Sequence, residues 1–317
     1  MKAKAIILAA GQGTRMKSPL PKVLHPLAGQ SMIRHLLTTL NTAGMQDMCV
    51  VIGPDMDNLK KEVSPLKTVE QTERRGTGHA VKMAQDVFPS YDEGCFFVLF
   101  GDTPLVKKET LEKMYQQFEA GADIIVMGFT PADAARYGRL VVKNGVLQAI
   151  VEYKDASDEE RAIRLCSAGL MCISGKHLWN LIAQLKDNNA AHEYYLTDIV
   201  KIGREKGLKA VVVEGDAEEV LGVNSRFDLS IAEKVVQKNL ARQAMDDGVT
   251  LLNPESIHFN YDTRIGADAL IEPNVYFGQN VVVGEKAVIH SFSYLENCFV
   301  PAQSEIGPMV VLKDKKE

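Results

Sequence analysis

A chain of 317 residues with 46% hydrophobic side chains has enough apolar material for a sizeable core and a length that suits about two domains. Its formal net charge of −5 gives no broad basic field, which argues against nucleic acid or an anionic membrane as the main partner, and no apolar run approaches the roughly 20 residues of a membrane span. The five cysteines, Cys49, Cys95, Cys166, Cys172 and Cys298, are odd in number and form no Cys-x-x-Cys pair, so they read as reduced thiols in cytoplasm. The N-terminus enters a strand at once, and no signal peptide is expected.

The apolar run 5–8 predicts a short buried strand, and it opens onto Leu8-Ala9-Ala10-Gly11-Gln12-Gly13-Thr14-Arg15-Met16 and Leu20-Pro21-Lys22-Val23-Leu24. Gly11 and Gly13 permit positive φ and close backbone approach, so successive N–H groups can turn inward as an anion nest. Arg15 and Lys22 add the charge that a polyphosphate needs. A dinucleotide fingerprint would want glycine where Met16 stands, and a Walker loop would want Gly-Lys-Ser/Thr. Taken alone, the glycines also fit a tight connection between strand and helix.

Downstream, the spacing predicts helices over 32–43, 59–63, 78–88 and 107–120, alternating with strands over 48–52, 67–69, 95–100 and 124–128. That alternation predicts a doubly wound α/β domain with a mostly parallel sheet covered on both faces. Ligands of such sheets bind beyond the carboxyl ends of strands, which puts Gly11, Gln71 and Asp102 on one rim. The Asn144-Gly145 pair predicts a hairpin within 137–152. A charged surface helix or loop over 155–164, a strand over 165–173, helices over 178–185 and 195–205 and a strand over 210–214 follow. Residues 226–247 read as one long amphipathic helix carrying Phe227, Leu229, Ile231, Val235, Val236, Leu240 and Met245, a connecting arm outside either core.

After Leu251 the period changes. Ile265, Ile271, Phe277, Val283, Ile289 and Leu295 recur at six-residue intervals, with glycine following at 266, 278 and 284. A strict hexapeptide period marks a parallel β-helix whose every sixth side chain enters the core. Ile306-Gly307 arrives one residue early, so the rung near Pro301 is expected to be distorted, and residues 313–317 form a polar tail. About three coils are available. The domains are therefore expected at 1–226, 227–250 (the arm) and 251–317 (the β-helix).

The loop motif with Pro21-Lys22 resembles the signature of sugar-1-phosphate nucleotidylyltransferases. Later blocks in the same order narrow the resemblance to the uridylyltransferase half of the GlmU family, with a short left-handed β-helix. These are Gly76-Thr77-Gly78-His79-Ala80, Gly101-Asp102-Thr103-Pro104-Leu105, Tyr137-Gly138-Arg139, Val151-Glu152-Tyr153-Lys154-Asp155-Ala156, Glu193-Tyr194-Tyr195-Leu196-Thr197-Asp198 and Gly222-Val223-Asn224-Ser225-Arg226. The resemblance implies transfer of a uridylyl group from UTP to N-acetylglucosamine 1-phosphate, with Mg²⁺ as cofactor, in peptidoglycan precursor synthesis.

In that reading Asp102, a strand-end carboxylate able to hold Mg²⁺ or simply to cap a helix, pairs with Asn224 as metal ligand. Arg15, Lys22 and Asp102 are the catalytic residues. Leu8, Ala9, Ala10, Gly11, Gly13, Gln71, Gly76 and Thr77 serve the nucleotide; Gln71 offers the uracil edge both a donor and an acceptor. Thr77 also stands with Gly138, Glu152, Tyr195, Thr197 and Asn224 toward the sugar. Glu152 as a carboxylate accepts two hydroxyls. One block departs: Ser167-Ala168-Gly169 stands where the family has Asn-x-Gly, and this puts the sugar in doubt but not the nucleotidyl transfer.

No His/Cys ligand spacing and no nucleophile triad is identifiable. A nucleotidylyltransferase for another base or sugar, a metal-dependent glycosyltransferase and a non-catalytic binding or assembly protein remain as alternatives. The β-helix is expected to assemble the chain as a homotrimer. In the family the acetyl-transfer site lies in later coils, so no acetyltransferase activity is expected of these 317 residues.

Overall fold

The computed structural model describes residues 1–91, 93–134 and 137–314. The chain divides into two compact units, one of residues 1–24 and 32–224, the other of residues 25–31 and 225–317.

The first unit is built on a mixed sheet. Its strands are β1 (Ala3–Leu8), then, past the short pair β2 (Pro26–Leu27) and β3 (Gln30–Ser31) that belongs to the second unit, β4 (Met48–Ile52), β5 (Lys67–Glu70), β6 (Cys95–Phe100), β7 (Ile124–Phe129), β8 (Arg139–Lys143), β9 (Val146–Val151), β10 (Cys166–Ser174) and β11 (Ala210–Glu214). Their order across the sheet is β11-β7-β10-β6-β1-β4-β5. The expected parallel pairings hold for β6-β1-β4-β5 and for β7-β11, whereas β10 runs antiparallel between β6 and β7.

Apolar runs without polar alternation form the central strands because both faces are covered. On β1, Ala3, Ala5 and Ile7 enter one core and Ile6 and Leu8 the other. Cys95, Phe97 and Leu99 of β6 join the first, Phe96 and Val98 the second. From β1 the chain winds outward to β4 and β5, then returns to place β6 on the other side of β1. The topological switch point therefore lies between Leu8 and Phe100, which are register partners.

Several predicted helices are shorter than their apolar spacing implied. The helix expected over 78–88 is Thr77–Met83, that over 178–185 is Leu178–Ile182, and that over 195–205 begins at Asp198. In each case buried apolar residues (Phe88, Leu185 and Leu196) lie in the segments flanking the regular helix, so apolar spacing extends beyond it.

In the second unit the helix Arg226–Asp246 starts at a capping box, Ser225 Oγ accepting from Asp228 N–H and Asp228 Oδ2 accepting from Ser225 N–H. The reading of a continuous apolar face, and of an arm outside either core, is corrected: the helix belongs to the second unit and packs into its core at one end only. Only Ala232 and Ala241 are buried on it, and Phe227 is 73% exposed. Its apolar packing is confined to one end, where Ala241 joins the β-helix core with Leu240 and Ala244 against it. Further up the helix polar side chains make contacts: Gln237 donates to Phe259 O and accepts from Phe259 N–H, both at 2.8 Å, and Glu233 accepts from Ala28 N–H of the β2–β3 pair at 2.9 Å.

The hexapeptide period becomes a left-handed parallel β-helix with three sheet faces. One face stacks Leu270–Ile271, Val288–Ile289 and Glu305–Ile306 on Thr250–Leu251. The others stack Arg264–Ile265, Val281–Val283 and Cys298–Val300, and Tyr276–Phe277, Tyr294–Glu296 and Val311–Lys313. Ile271, Phe277, Val283, Ile289 and Leu295 fill the interior. Non-glycine residues take left-handed φ at successive corners: Asp268, Asn274, Asn280, Lys286 and Phe292. A Cβ on Gly284 would fall 2.4 Å from Ala302 N, so the next coil passes over it too closely for a side chain.

The irregularity expected near Pro301 sits elsewhere. Past the first rung, where Thr250 stacks under Leu270, stacked residues are 18 apart up to the Asn280 corner and 17 apart from the next corner on. The lost residue is at that next corner, where Asn297 alone spans the turn that Gln279 and the left-handed Asn280 span one coil earlier. Of the expected polar tail, Lys313 ends the last strand and Lys315, Lys316 and Glu317 lie outside the described residues.

Candidate active site

A cleft of about 340 Å³ opens at the switch point of the sheet. Leu8, Ala9, Ala10 and Gly11 line it from the end of β1, Gln71 from the end of β5, Gly76 and Thr77 from the start of the following helix, and Phe100 and Asp102 from the end of β6. Three backbone bonds fix this rim: Ala9 N–H to Val51 O at 2.8 Å, Gly101 N–H to Leu8 O at 3.0 Å and Gln71 N–H to Ile52 O at 2.8 Å. The three residues placed on one rim from the sequence, Gly11, Gln71 and Asp102, are thus brought together.

The glycine loop is less strained than its composition implied. Gly13 takes left-handed φ (61°), as expected, but Gly11 does not. Gly13 is needed for another reason as well, since a Cβ there would lie 2.7 Å from Lys22 Cβ. The loop and the lysine segment are packed backbone to side chain. Arg15 lies exposed on the short turn Thr14–Met16 and is not part of the cleft lining.

Lys22 does line the cleft, and its ammonium lies between two oxygens. It donates to Asp102 Oδ2 in a close ion pair and to Asn224 Oδ1 at 2.9 Å. The side chains of Lys22 and Asp102 are only 13% and 16% exposed, so the pair is shielded from solvent. Asn224 reaches this position because Val223 N–H donates to the Asp102 carbonyl at 2.9 Å, and its own amide nitrogen is held on Gly222 O at 3.2 Å, leaving Oδ1 inward. A carboxylate and an amide oxygen that already converge on one cation are hard donors suited to a divalent metal.

The second group of predicted residues surrounds Glu152. Thr197 Oγ1 donates to Glu152 Oε1 at 3.1 Å, and the Glu152 carboxylate lies 3.5 Å from where a Gly138 Cβ would be. Burial holds the Glu152 carboxyl above its ordinary value, helped by Asp198, Asp155 and Glu193 and opposed by the Thr197 hydrogen bond. The Tyr195 hydroxyl is pushed up to about 12 by burial and by the same carboxylates. Glu152 and Tyr195 line a hollow of about 830 Å³ with Asp155, Asp198 and Lys201. Segments 75–78 and 194–196 are sewn together by Gly78 N–H to Tyr194 O, Tyr194 N–H to Arg75 O, and Leu196 N–H to Thr77 Oγ1, which places Thr77 between the cleft and the hollow.

Ser167 is buried on β10, but its hydroxyl accepts from Gly169 N–H at 3.1 Å and its N–H donates to Gly138 O at 2.8 Å. It stands beside Gly138 and lines neither the cleft nor the hollow. Three residues went unread in the sequence. Arg74 enters the cleft and donates from Nε to Ala10 O at 3.0 Å, and Glu193 lines the same wall. Arg139, 3% exposed, donates to the carbonyls of Ala134 and of Tyr137, the residue before Gly138. Only Arg139 had a signal, a charged residue inside a predicted strand.

A doubly wound sheet with a glycine loop, a strand-end Asp and an oxygen pair at its switch point defines a nucleotidyltransferase. Residues 5–194 match the MobA-like NTP transferase domain family, and residues 262–297 match the bacterial transferase hexapeptide family of six repeats. The chain is 47% identical to the bifunctional protein GlmU of Paramagnetospirillum magneticum over 318 residues, covering all of this chain and 71% of the relative. It is 45% identical to that of Bartonella quintana over 317 residues (99% and 70%), and 51% to that of Rhodospirillum rubrum over 269 residues (84% and 60%). The chain belongs to the GlmU family and is a sugar-1-phosphate uridylyltransferase. No helix among the described residues is long and apolar enough to cross a membrane.

Proposed function

We propose that the chain converts UTP and N-acetylglucosamine 1-phosphate to UDP-N-acetylglucosamine and pyrophosphate, with Mg²⁺ held by Asp102 and Asn224. The observation that carries this reading is the convergence of Asp102 Oδ2 and Asn224 Oδ1 on the cationic Lys22 head beside the Leu8–Gly11 loop. Bound there, the metal supplies neutralisation of triphosphate charge.

The protein's own part is positioning. The loop from Leu8 to Gly13 holds the nucleotide, with Gln71 and Gly76 at the base, and Lys22 meets phosphate oxygens as a point charge. Glu152, Gly138, Thr197 and Tyr195 hold the sugar, so that a phosphate oxygen attacks the α-phosphorus in line as pyrophosphate leaves. That oxygen is already anionic at neutral pH, so no side chain needs to remove a proton. Arg15, on the same loop, contributes charge toward the triphosphate from outside the cleft.

Residues 1–226 carry the chemistry, 227–250 the arm and 251–317 assembly in this reading. The exposed Val282, Phe299, Phe292 and Val311 support a homotrimer through the β-helix. The five buried free thiols support a cytoplasmic setting. Pyrophosphate release with UTP against a panel of sugar 1-phosphates tests the assignment. Turnover confined to another nucleotide or another sugar 1-phosphate overturns it, and light scattering tests the trimer.

A further inference from the structure

Gln71 is only 5% exposed, and its amide is more constrained than a surface glutamine. Its nitrogen lies 3.1 Å from the Gly76 carbonyl oxygen and 3.2 Å from His79 Nδ1. Which end of a side-chain amide is nitrogen is normally settled only by its neighbours. Here the Gly76 carbonyl settles it, because a carbonyl only accepts. The amide nitrogen has two hydrogens and no acceptor capacity, so His79 Nδ1 must accept the second one. His79 is therefore the neutral tautomer protonated on Nε2.

The consequence reaches the cleft. Both Gln71 hydrogens are spent inside the protein, and Oε1 is its one polar atom left for a ligand. The expectation that Gln71 offers a donor and an acceptor is corrected: it offers an acceptor only. Uracil presents a ring N–H on that edge, flanked by two carbonyls, whereas cytosine presents a bare ring nitrogen beside an exocyclic amine, so an acceptor facing the ring nitrogen favours uracil. We propose that His79 is a positioning residue that fixes Gln71 as an obligate acceptor, and so sets the preference of the site for uracil over cytosine nucleotides.

The surroundings favour the neutral ring this requires. Burial and the Arg75 guanidinium hold His79 below its ordinary value, Lys82 adds to them, and a backbone hydrogen bond with Glu73 and the Glu73 carboxylate pull weakly the other way. Tyr194 packs its ring 6.5 Å from the imidazole. Besides that bond with Glu73, the hydrogen-bond and ring contacts of His79 among the described residues are with Gln71 and Tyr194, on the base side of the cleft.

The inference rests on the uridylyltransferase reading, and the experiment keeps the two apart. Steady-state kinetics with UTP and CTP would be measured for the full chain, His79→Ala and His79→Asn. Asn is the informative replacement because its Oδ1 stands near the position of Nδ1 and accepts. His79→Ala is expected to lower the UTP:CTP ratio of kcat/KM about fivefold, the worth of one neutral hydrogen bond, through KM rather than kcat. His79→Asn is expected to restore most of it. An unchanged ratio in the alanine variant, or an asparagine variant no better than alanine, overturns the proposal. Should His79→Ala not fold, ¹⁵N imidazole spectra of the unaltered chain decide: a ring protonated on Nε2 and bare on Nδ1 supports it, and the opposite tautomer overturns it. Failure of the unaltered chain to use either nucleotide counts against the uridylyltransferase reading instead, and the tautomer still tests the His79 contact.

Discussion

The two units of this chain encode position in opposite ways. In the β-helix, a residue's place in space follows from its place in a six-residue count: Ile271, Phe277, Val283 and Ile289 are interior because of their phase. In the α/β unit the decisive contacts join segments far apart, Lys22 to Asp102 across 80 residues and to Asn224 across 202. A repeat builds surface by copying a local rule. A site is built where several strand ends are made to coincide, and no local rule describes it.

That contrast can be broken from either side. The largest effect is expected in the β-helix interior, where Phe277, fully buried, stacks between coils. Phe277→Ala should cost about 3–5 kcal/mol of stability, measured by denaturant unfolding of the chain. A loss below 1 kcal/mol would show that the coils do not share a packed interior. Next, Asp102→Ala removes both a metal ligand and the partner of Lys22, and kcat for pyrophosphate release should fall on the order of 10²–10³-fold. Retention of full rate in limiting Mg²⁺ would contradict the metal assignment.

A smaller effect tests the loop. Gly13→Ala forces a Cβ into Lys22 at left-handed φ, a conformation costing an alanine roughly 1–2 kcal/mol. KM for UTP should rise about tenfold with little change in the sugar KM; equal changes in both would place Lys22 outside nucleotide binding. Smaller again, Ser167→Asn should raise kcat/KM for N-acetylglucosamine 1-phosphate relative to its epimers by a few-fold, one hydrogen bond being worth about 0.5–1.5 kcal/mol. Because Ser167 Oγ is engaged by Gly169 N–H, loss of activity with both sugars would instead identify Ser167 as a support of its own strand.

The weakest effect concerns pH. His290 joins three coils, its Nδ1 3.1 Å from Glu272 and its Nε2 2.6 Å from Glu305. Those carboxylates hold the imidazole above its ordinary value, while hydrogen bonds from Ser291 and His290 hold Glu272 below its own. The stabilisation from His290 is therefore complete below 6.5, its unfolded value, and is lost as pH rises through the raised folded value. That from Glu272 is complete above 4.5 and is lost as pH falls through the lowered one. Melting temperatures of the chain and of His290→Gln should converge at alkaline pH and separate between those limits. Parallel curves throughout would mean the cluster is not coupled to folding.

Much of this was legible in the sequence because it is periodic or local. The hexapeptide run, the strand-end positions of Gln71 and Asp102 and the Asn144-Gly145 turn all follow from spacing. Helix ends were not legible, since Val87 and Phe88 continue to pack against the sheet after the regular helix ends at Met83. The arm misled because its apolar residues have helical spacing throughout, while only Leu240, Ala241 and Ala244 pack into the core and Gln237 and Glu233 make contacts further up the helix. The donor pattern of Gln71 depends on His79, and Arg74 enters the cleft only because Ala10 offers it a carbonyl. Such facts belong to pairs of residues and have no signature in either one.

The change from 18 to 17 residues per coil at Asn297 carries a consequence for how such a repeat varies in length. Val283 and Val300 still stack, and both remain interior, so the missing residue was removed without displacing any inward side chain. Corners therefore act as phase adjusters. A deletion there shortens the perimeter of one turn and shifts the numbering of everything downstream, while the same deletion within a strand would turn each following interior residue outward.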